Sequence, residues 1–137
     1  MIIISSGLFL LLDQLLKGAA KNLWTKNHLA SYIFGWHPYY NSGIAFGLPV
    51  ANSYTVAVSI ILITGMLALT IFAWGKNNIF ILLGWVFLAG GAISNLIDRI
   101  AYGYVIDYFF IFTGYINIAD IMIASGLLIL LFCVGKK

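Results

Sequence analysis

Residues 90–120 read GGAISNLIDRIAYGYVIDYFFIFTGYINIAD, and they hold three of the four acidic residues of the chain, Asp98, Asp107 and Asp120. The remaining sequence is greasy. Of its 137 residues 63% are hydrophobic and 8% charged, with a mean hydropathy of +1.04. That is far more apolar surface than a soluble domain of this length can hide, which makes the chain an integral membrane protein. A carboxylate in such surroundings is costly and marks a functional site with a partner to be named.

Working outward from that stretch, the apolar runs divide into four spanning helices: Ile2 to about Ala20, Thr55 to Trp74, Ile79 to Ile97, and Asn117 to Val134. Each of the middle two is an uncharged run long enough to cross a hydrocarbon core of ~30 Å at ~1.5 Å per residue. The first run makes a poor signal peptide, because no basic segment precedes it and Asp13 and Lys17 interrupt it. With alternating directions, Asp13 and Lys17 of the first helix, Asn95, Asp98 and Arg99 of the third, and Asn117 and Asp120 of the fourth all reach one membrane face. The two long connections, residues 21–54 and 100–116, lie on that face too, whereas GKNN alone joins the second and third helices opposite. The polar residues converge on one elaborated side.

Charge does not orient the bundle. Lys76, Lys136 and Lys137 fall on the plain side, and Lys17, Lys21, Lys26 and Arg99 on the elaborated one, so the positive-inside rule does not choose between the two orientations. The net charge of +3 reflects a shortage of acids, and the scattered basic residues exclude nucleic-acid binding. A single cysteine, Cys133, permits no intrachain disulfide and reads as an apolar packing or lipid-facing residue.

Helical spacing names partners. Asp13 and Lys17 are four apart, acid first, which stacks them as an ion pair, and Asn95 and Arg99 repeat the spacing. Gly90, Gly91 and Ser94 give the third helix a small-residue face for close approach. Asn117 and Asp120 fall in the first turn of the fourth helix, where the dipole favours negative charge. Asp98 is expected to hold the ends of the third and fourth helices beside Arg99. The first connection contains HPYYNSGIAFGLP, with Asn41, Ser42 and Gly43 as turn residues among interfacial aromatics. The second, YGYVIDYFFIF, is β-prone and is expected to hold Asp107 on a loop or strand beside the membrane. His28 and His37 make a poor metal site, lacking a nearby cysteine or an H-E-x-x-H spacing.

DQLLK at 13–17, NSGIAF at 41–46, GGAISNLIDR at 90–99, GYVIDY at 103–108 and INIAD at 116–120 together resemble the five signature regions of bacterial lipoprotein signal peptidase, in the family's order. The resemblance implies an all-α integral membrane protein, a single domain over residues 1–137 with four transmembrane helices and a small extracytoplasmic β-containing cap. It implies an aspartyl endopeptidase of the bacterial plasma membrane, with cytoplasmic termini and an extracytoplasmic active site. The activity it implies is removal of the signal peptide from diacylglyceryl-modified prolipoproteins, by a cut just before the lipidated cysteine. The catalytic aspartates fall on Asp107 and Asp120, and the substrate-binding or supporting residues on Asp13, Lys17, Asn41, Gly43, Asn95, Asp98, Arg99 and Asn117. Partners are then the prolipoprotein, membrane lipid and globomycin-type inhibitors. The enzyme is expected to act as a monomer without metal or cofactor. Ser94 stands where the family usually has glycine, Tyr108 and Ile116 where it usually has phenylalanine, and Gly47 where serine is common.

Two close carboxylates in a poorly solvated site cannot both ionise comfortably, so one keeps a proton and the pair titrates as a unit. One then acts as general base on water while the other polarises the scissile carbonyl. A serine and lysine scheme has candidates in Ser94 or Ser42 with Lys17, but it leaves the aspartates idle. The reading of another class is a small four-helix proton-coupled multidrug transporter with Asp13 as its ion site. Such exporters lack long polar connections and acids gathered at one face of several helices.

Overall fold

The computed structural model describes residues 2–23, 28–29, 33–43, 50–74 and 78–134. Four helices, α1 (Ile2–Leu23), α2 (Asn52–Trp74), α3 (Ile79–Tyr102) and α4 (Ile118–Val134), alternate with four strands, β1 (His28–Leu29), β2 (Phe34–Asn41), β3 (Val105–Ile111) and β4 (Gly114–Ile116). Among the described residues α1, α2 and α3 are long and apolar enough to cross a membrane. α4 is as apolar but has 17 residues, about 26 Å at ~1.5 Å per residue. Large side chains such as Leu15, Ile61, Ile71 and Phe132 are more than half exposed, which only a lipid solvent tolerates in such numbers.

α3 is the central post, with α1, α2 and α4 all packed against it. It begins where the Asn78 side chain accepts hydrogen bonds from the N–H groups of Phe80 and Ile81, an N-cap that satisfies two otherwise orphaned donors. The sequence places its end at Ile97, but it runs on to Tyr102. Asp98 and Arg99 look like a boundary in a hydropathy reading, yet both find partners, so nothing stops the helix before Gly103. There φ is +83° and the N–H returns to the Arg99 carbonyl at 3.1 Å, a left-handed cap that glycine adopts without penalty.

Small residues set the distance between α3 and α4. A Cβ on Gly91 would strike the Ala119 carbonyl, and one on Gly126 would meet the Gly84 carbonyl at 2.6 Å. A Cβ on Gly90 would run into Ser6 of α1 and Met122 of α4. The expected small-residue face is therefore a three-helix seam, with backbone against backbone between α3 and α4 and with the Ser6 and Met122 side chains seated on Gly90.

The strands form one antiparallel sheet in the order β1-β2-β3-β4. β3 and β4 are the extended segments expected in the second connection, joined by a tight turn in which Phe112 takes a positive φ of 55°. β2 was not expected. Its aromatics read as an interfacial loop, and Pro38 argues against a strand interior because it has no N–H to donate. The sheet accommodates Pro38 with a bulge: Trp36 pairs with Phe109 and Tyr39 with Asp107, leaving His37 and Pro38 opposite Tyr108 alone. Beyond the bulge Tyr39 and Asn41 lie on the same face as Asp107. Trp36 packs against Phe109 and Tyr39 stacks on Tyr115, at centroid distances of 4.5 and 4.6 Å. The buried cluster of Ala20, Ile106 and Tyr108, flanked by Leu16 and Ile118, marks where α1, β3 and α4 meet.

Candidate active site

The polar residues of all these elements converge at that junction. Lys17, 1% exposed on α1, uses the three donors of its ammonium on Asp13 of its own helix (2.8 Å) and on Asp98 (3.0 Å) and Asn95 (2.9 Å) of α3. The pairing of Asp13 and Lys17 expected from their spacing is present. Asp98 differs from expectation: it does not tie the ends of α3 and α4. Its carboxylate accepts from Lys17 and Gln14 of α1 and from the Ile106 N–H of β3 at 3.1 Å, so it joins α1 and β3 to the post. The reason is positional, since Arg99 turns away toward α2 and leaves Asp98 facing α1.

Asp13 is fully buried and surrounded by donors. Ser94 Oγ reaches Oδ2 at 2.7 Å, and Oδ1 accepts from the Tyr108 hydroxyl at 2.8 Å and the Ile118 N–H at 3.0 Å. Burial, and then the negative Asp13 beside it, push the Tyr108 phenol well above its ordinary value, which keeps it a donor. Gln14, Ser94 and Tyr108 were not among the expected site residues. Gln14 carried a signal, as a lone amide between Asp13 and Lys17 in an apolar helix. Its Nε2 bonds Ser94 Oγ at 2.8 Å and the Ser94 carbonyl at 3.1 Å.

Above this buried base sit the other two carboxylates. Asp107, at the buried start of β3, accepts from Asn117 Nδ2 at 2.7 Å and from Asn41 Nδ2 at 3.2 Å. Asp120, in the first turn of α4, accepts from Asn95 Nδ2 at 3.0 Å and from the Asn117 N–H at 3.1 Å, and its own N–H returns to Asn117 Oδ1 at 2.9 Å. Asn117 thus touches both acids. It also donates to Asn95 Oδ1 at 3.1 Å, linking the pair to Lys17 below. Burial, and after it the negative Asp120, push the Asp107 carboxyl up to about 7, against the opposing pull of Asn41, Lys17 and Asn117.

Arg99 closes the site from the side. Its Nη2 donates to the Gly43 carbonyl at 2.7 Å and its Nη1 contacts Thr55 of α2 at 3.4 Å. The Gly43 N–H in turn bonds Asn41 Oδ1 at 3.1 Å, a side-chain turn that aims the Asn41 amide at Asp107. All ten expected site residues are therefore in one connected cluster, although Ile44 to Gly47 lie outside the described residues. An open pocket of about 410 Å³ lined by Ser42, Val50, Ala51, Asn52 and Gly103 flanks the Arg99 end. The serine and lysine scheme has no geometric support, because the Lys17 amine is committed to two carboxylates and an amide. The His37 ring lies tilted against Tyr115, at a centroid distance of 5.8 Å. Among the described residues no three His, Cys, Asp or Glu side chains group as metal ligands.

Apolar helices around a buried, hydrogen-bonded set of carboxylates define a multi-pass membrane protein with a polar centre suited to acid–base chemistry. The family model described as signal peptidase (SPase) II matches residues 5–135. The lipoprotein signal peptidase of Syntrophomonas wolfei is 41% identical over 104 residues, covering 71% of this chain and 67% of the relative. That of Maridesulfovibrio salexigens is 34% identical over 137 residues, covering 90% and 87%. A solved bacterial membrane enzyme superposes with a TM-score of 0.86 at 20% identity, over 99% of this chain and 91% of that one, a likeness of fold. The chain belongs to the signal peptidase II family. It is an aspartic endopeptidase that removes the signal peptide from prolipoproteins, which sets the transporter reading aside.

Among the described residues Lys17 is the cation paired with both Asp13 and Asp98, and removing one partner of a buried ion cluster costs about 3–5 kcal/mol because the remaining charge is uncompensated. Lys17→Met should therefore lower the melting temperature in detergent sharply, and adding Asp98→Asn should restore part of the loss. A Lys17→Met protein that melts like wild type would contradict this account.

Proposed function

We propose that Asp107 and Asp120 are the catalytic pair, acting on diacylglyceryl-modified prolipoproteins with a cut just before the lipidated cysteine. The observation that carries this reading is the bridge made by Asn117, one residue bonded to both carboxylates. It holds the acids close enough for the charge of one to raise the other. In the singly protonated pair one aspartate takes a proton from water as it attacks the scissile carbonyl. The other donates to the carbonyl oxygen and the pair then protonates the leaving amine. Asn41, Gly43 and Arg99 border the substrate backbone, while Asp13, Lys17, Asn95, Asp98 and Asn117 hold the acids in register. The chemistry calls for carboxylates and water, with no metal or cofactor.

In this reading residues 1–137 form a single membrane-embedded domain acting as a monomer. Four helices span the bacterial plasma membrane, with both termini cytoplasmic. The sheet caps the extracytoplasmic side, where membrane lipid surrounds the substrate's acyl chains and globomycin-type inhibitors occupy the site. The position of the polar cluster at the ends of α1 and α3 and the start of α4 supports one elaborated face. A reporter fused after Lys137 or inserted at residues 76–78 should be cytoplasmic, and one inserted at residues 27–31 external. A cytoplasmic signal from residues 27–31 would overturn the orientation.

Asp107→Asn and Asp120→Asn preserve volume but remove the ionisable group. Each should abolish cleavage of a diacylglyceryl prolipoprotein in a gel-shift assay while the purified protein still binds globomycin. The double variant should be no worse than either single one, because the two acids act as a unit. Turnover by either well-folded single variant would mean that the pair is wrongly chosen.

The raised Asp107 also fixes the sign of a pH effect. Its value in the fold, about 7, lies above its ordinary 3.8, so between those values the folded chain binds more protons than the unfolded one. Its contribution to stability is full at acid pH and is lost as pH rises through about 7. Cleavage should decline over the same alkaline limb as the pair loses its shared proton. The melting temperature of wild type minus that of Asp107→Asn should fall from about pH 4 to about pH 8, and a difference that grows with pH would contradict the assignment.

A further inference from the structure

Two neighbouring residues of β3 grip two neighbouring residues at the start of α4. Asp107 Oδ1 accepts from Asn117 Nδ2 at 2.7 Å, and the Tyr108 hydroxyl oxygen accepts from the Ile118 N–H at 3.1 Å. The second rung has a support of its own, since the same hydroxyl donates to Asp13 Oδ1, which also accepts from the Ile118 N–H. Asp13 is anchored in turn by Lys17 and Ser94. Tyr108 is completely buried, with its ring against Phe109 and in the Ala20 and Ile106 cluster, so the hydroxyl is delivered to this point by a side chain with no room to move.

The first four N–H groups of a helix need partners outside it. In α4 the Ile118 N–H is satisfied by a residue of the strand that carries one aspartate, and the helix it begins carries the other two residues further on. The chain of contact is therefore short and rigid: Asp107, Tyr108, Ile118, Asp120. The Asn117 side chain ties the first turn of α4 to β3 at one point, and the Tyr108 hydroxyl, sharing the Ile118 N–H with Asp13, ties it at a second.

We infer that Tyr108 is a positioning residue for the reaction, its hydroxyl acting with Asp13 to lock the first turn of α4 onto β3 and so to set the separation of Asp107 and Asp120. The inference rests on the assignment of that pair as catalytic. The task is particular to this chain, because phenylalanine, which the family usually has at this place, fills the same volume and leaves the Ile118 N–H to Asp13 alone.

The test is Tyr108→Phe in the full chain, purified in detergent and assayed on a diacylglyceryl prolipoprotein across pH. The charged groups around the pair, Asp13 and Lys17 on α1 and Asp98 and Arg99 on α3, are unchanged in the variant. The expected result is a kcat lower by about tenfold with KM within about twofold of wild type. The alkaline limb should move to lower pH by about half a unit, because more widely spaced acids raise each other less. Ser6→Ala, which removes a buried hydrogen bond to the Val86 carbonyl far from the site, serves as the stability control and should keep the wild-type kcat and limb. Wild-type kcat and limb in folded Tyr108→Phe would overturn the inference, as would an identical kinetic change in Ser6→Ala. If Tyr108→Phe does not fold, 4-aminophenylalanine at position 108 keeps the ring and a donor to Asp13 but is a poor acceptor for the Ile118 N–H. It should lower kcat and shift the limb in the same direction, and its failure to do so overturns the inference equally. Cleavage by Asp107→Asn or Asp120→Asn would instead sink the catalytic assignment, so the two failures are distinguishable.

Discussion

A lysine ammonium in an apolar interior between two carboxylates is the constraint on which this molecule depends. Removing Lys17, Asp13 and Asp98 from water is expensive, and only well-aimed contacts offset that cost. Lys17 draws its partners from two positions on α3 and one on its own helix, and the two carboxylates then recruit the N–H groups of Ile106 and Ile118. The charges thus specify where α1 lies on α3, where β3 begins and where α4 starts. Apolar packing in a bilayer is indifferent to small slides of one helix along another, whereas this cluster tolerates none.

The two acids proposed to carry the reaction are placed by this base without belonging to it. Asp107 and Asp120 come from a strand and a helix that meet over Asn117, and Asn95 carries the connection down to Lys17. The division has a chemical logic. The lower carboxylates share the Lys17 ammonium, while Asp107 accepts from two neutral amides and is raised by burial and then by the negative Asp120. One kind of side chain, in two surroundings, serves as scaffold below and, in the proposed mechanism, as proton carrier above.

Much of this was legible in the sequence, because membrane context makes every polar residue informative. The four-residue spacing of Asp13 and Lys17, the small face of α3 and the first-turn position of Asp120 each follow from helical geometry and hold in the structure. What was not legible depends on contacts distant along the chain. The extension of α3 past Ile97 needs Asp98 and Arg99 to be paired already, and the task of Asp98 turns on which neighbour Arg99 faces. β2 was hidden because Pro38 breaks the strand pattern unless a bulge absorbs it. Tyr108 and Ser94 looked like local replacements for a phenylalanine and a glycine, and nothing local shows that both hydroxyls meet on Asp13.

The glycine seam between α3 and α4 gives the site a mechanical character. Where Gly84 and Gly91 of one helix meet Gly126 and Ala119 of the other, backbone rests on backbone, a contact far stiffer than interleaved side chains. α2, by contrast, presents most of its surface outward and leans on α3 alone among the large helix contacts. A change in bilayer thickness or lateral pressure therefore finds a soft element in α2 and a hard one in the pair of helices that frames the carboxylates. If Asp107 and Asp120 are the reacting pair, their geometry is set by the hard pair of helices, and lipid composition should act on substrate arrival more than on the chemical step.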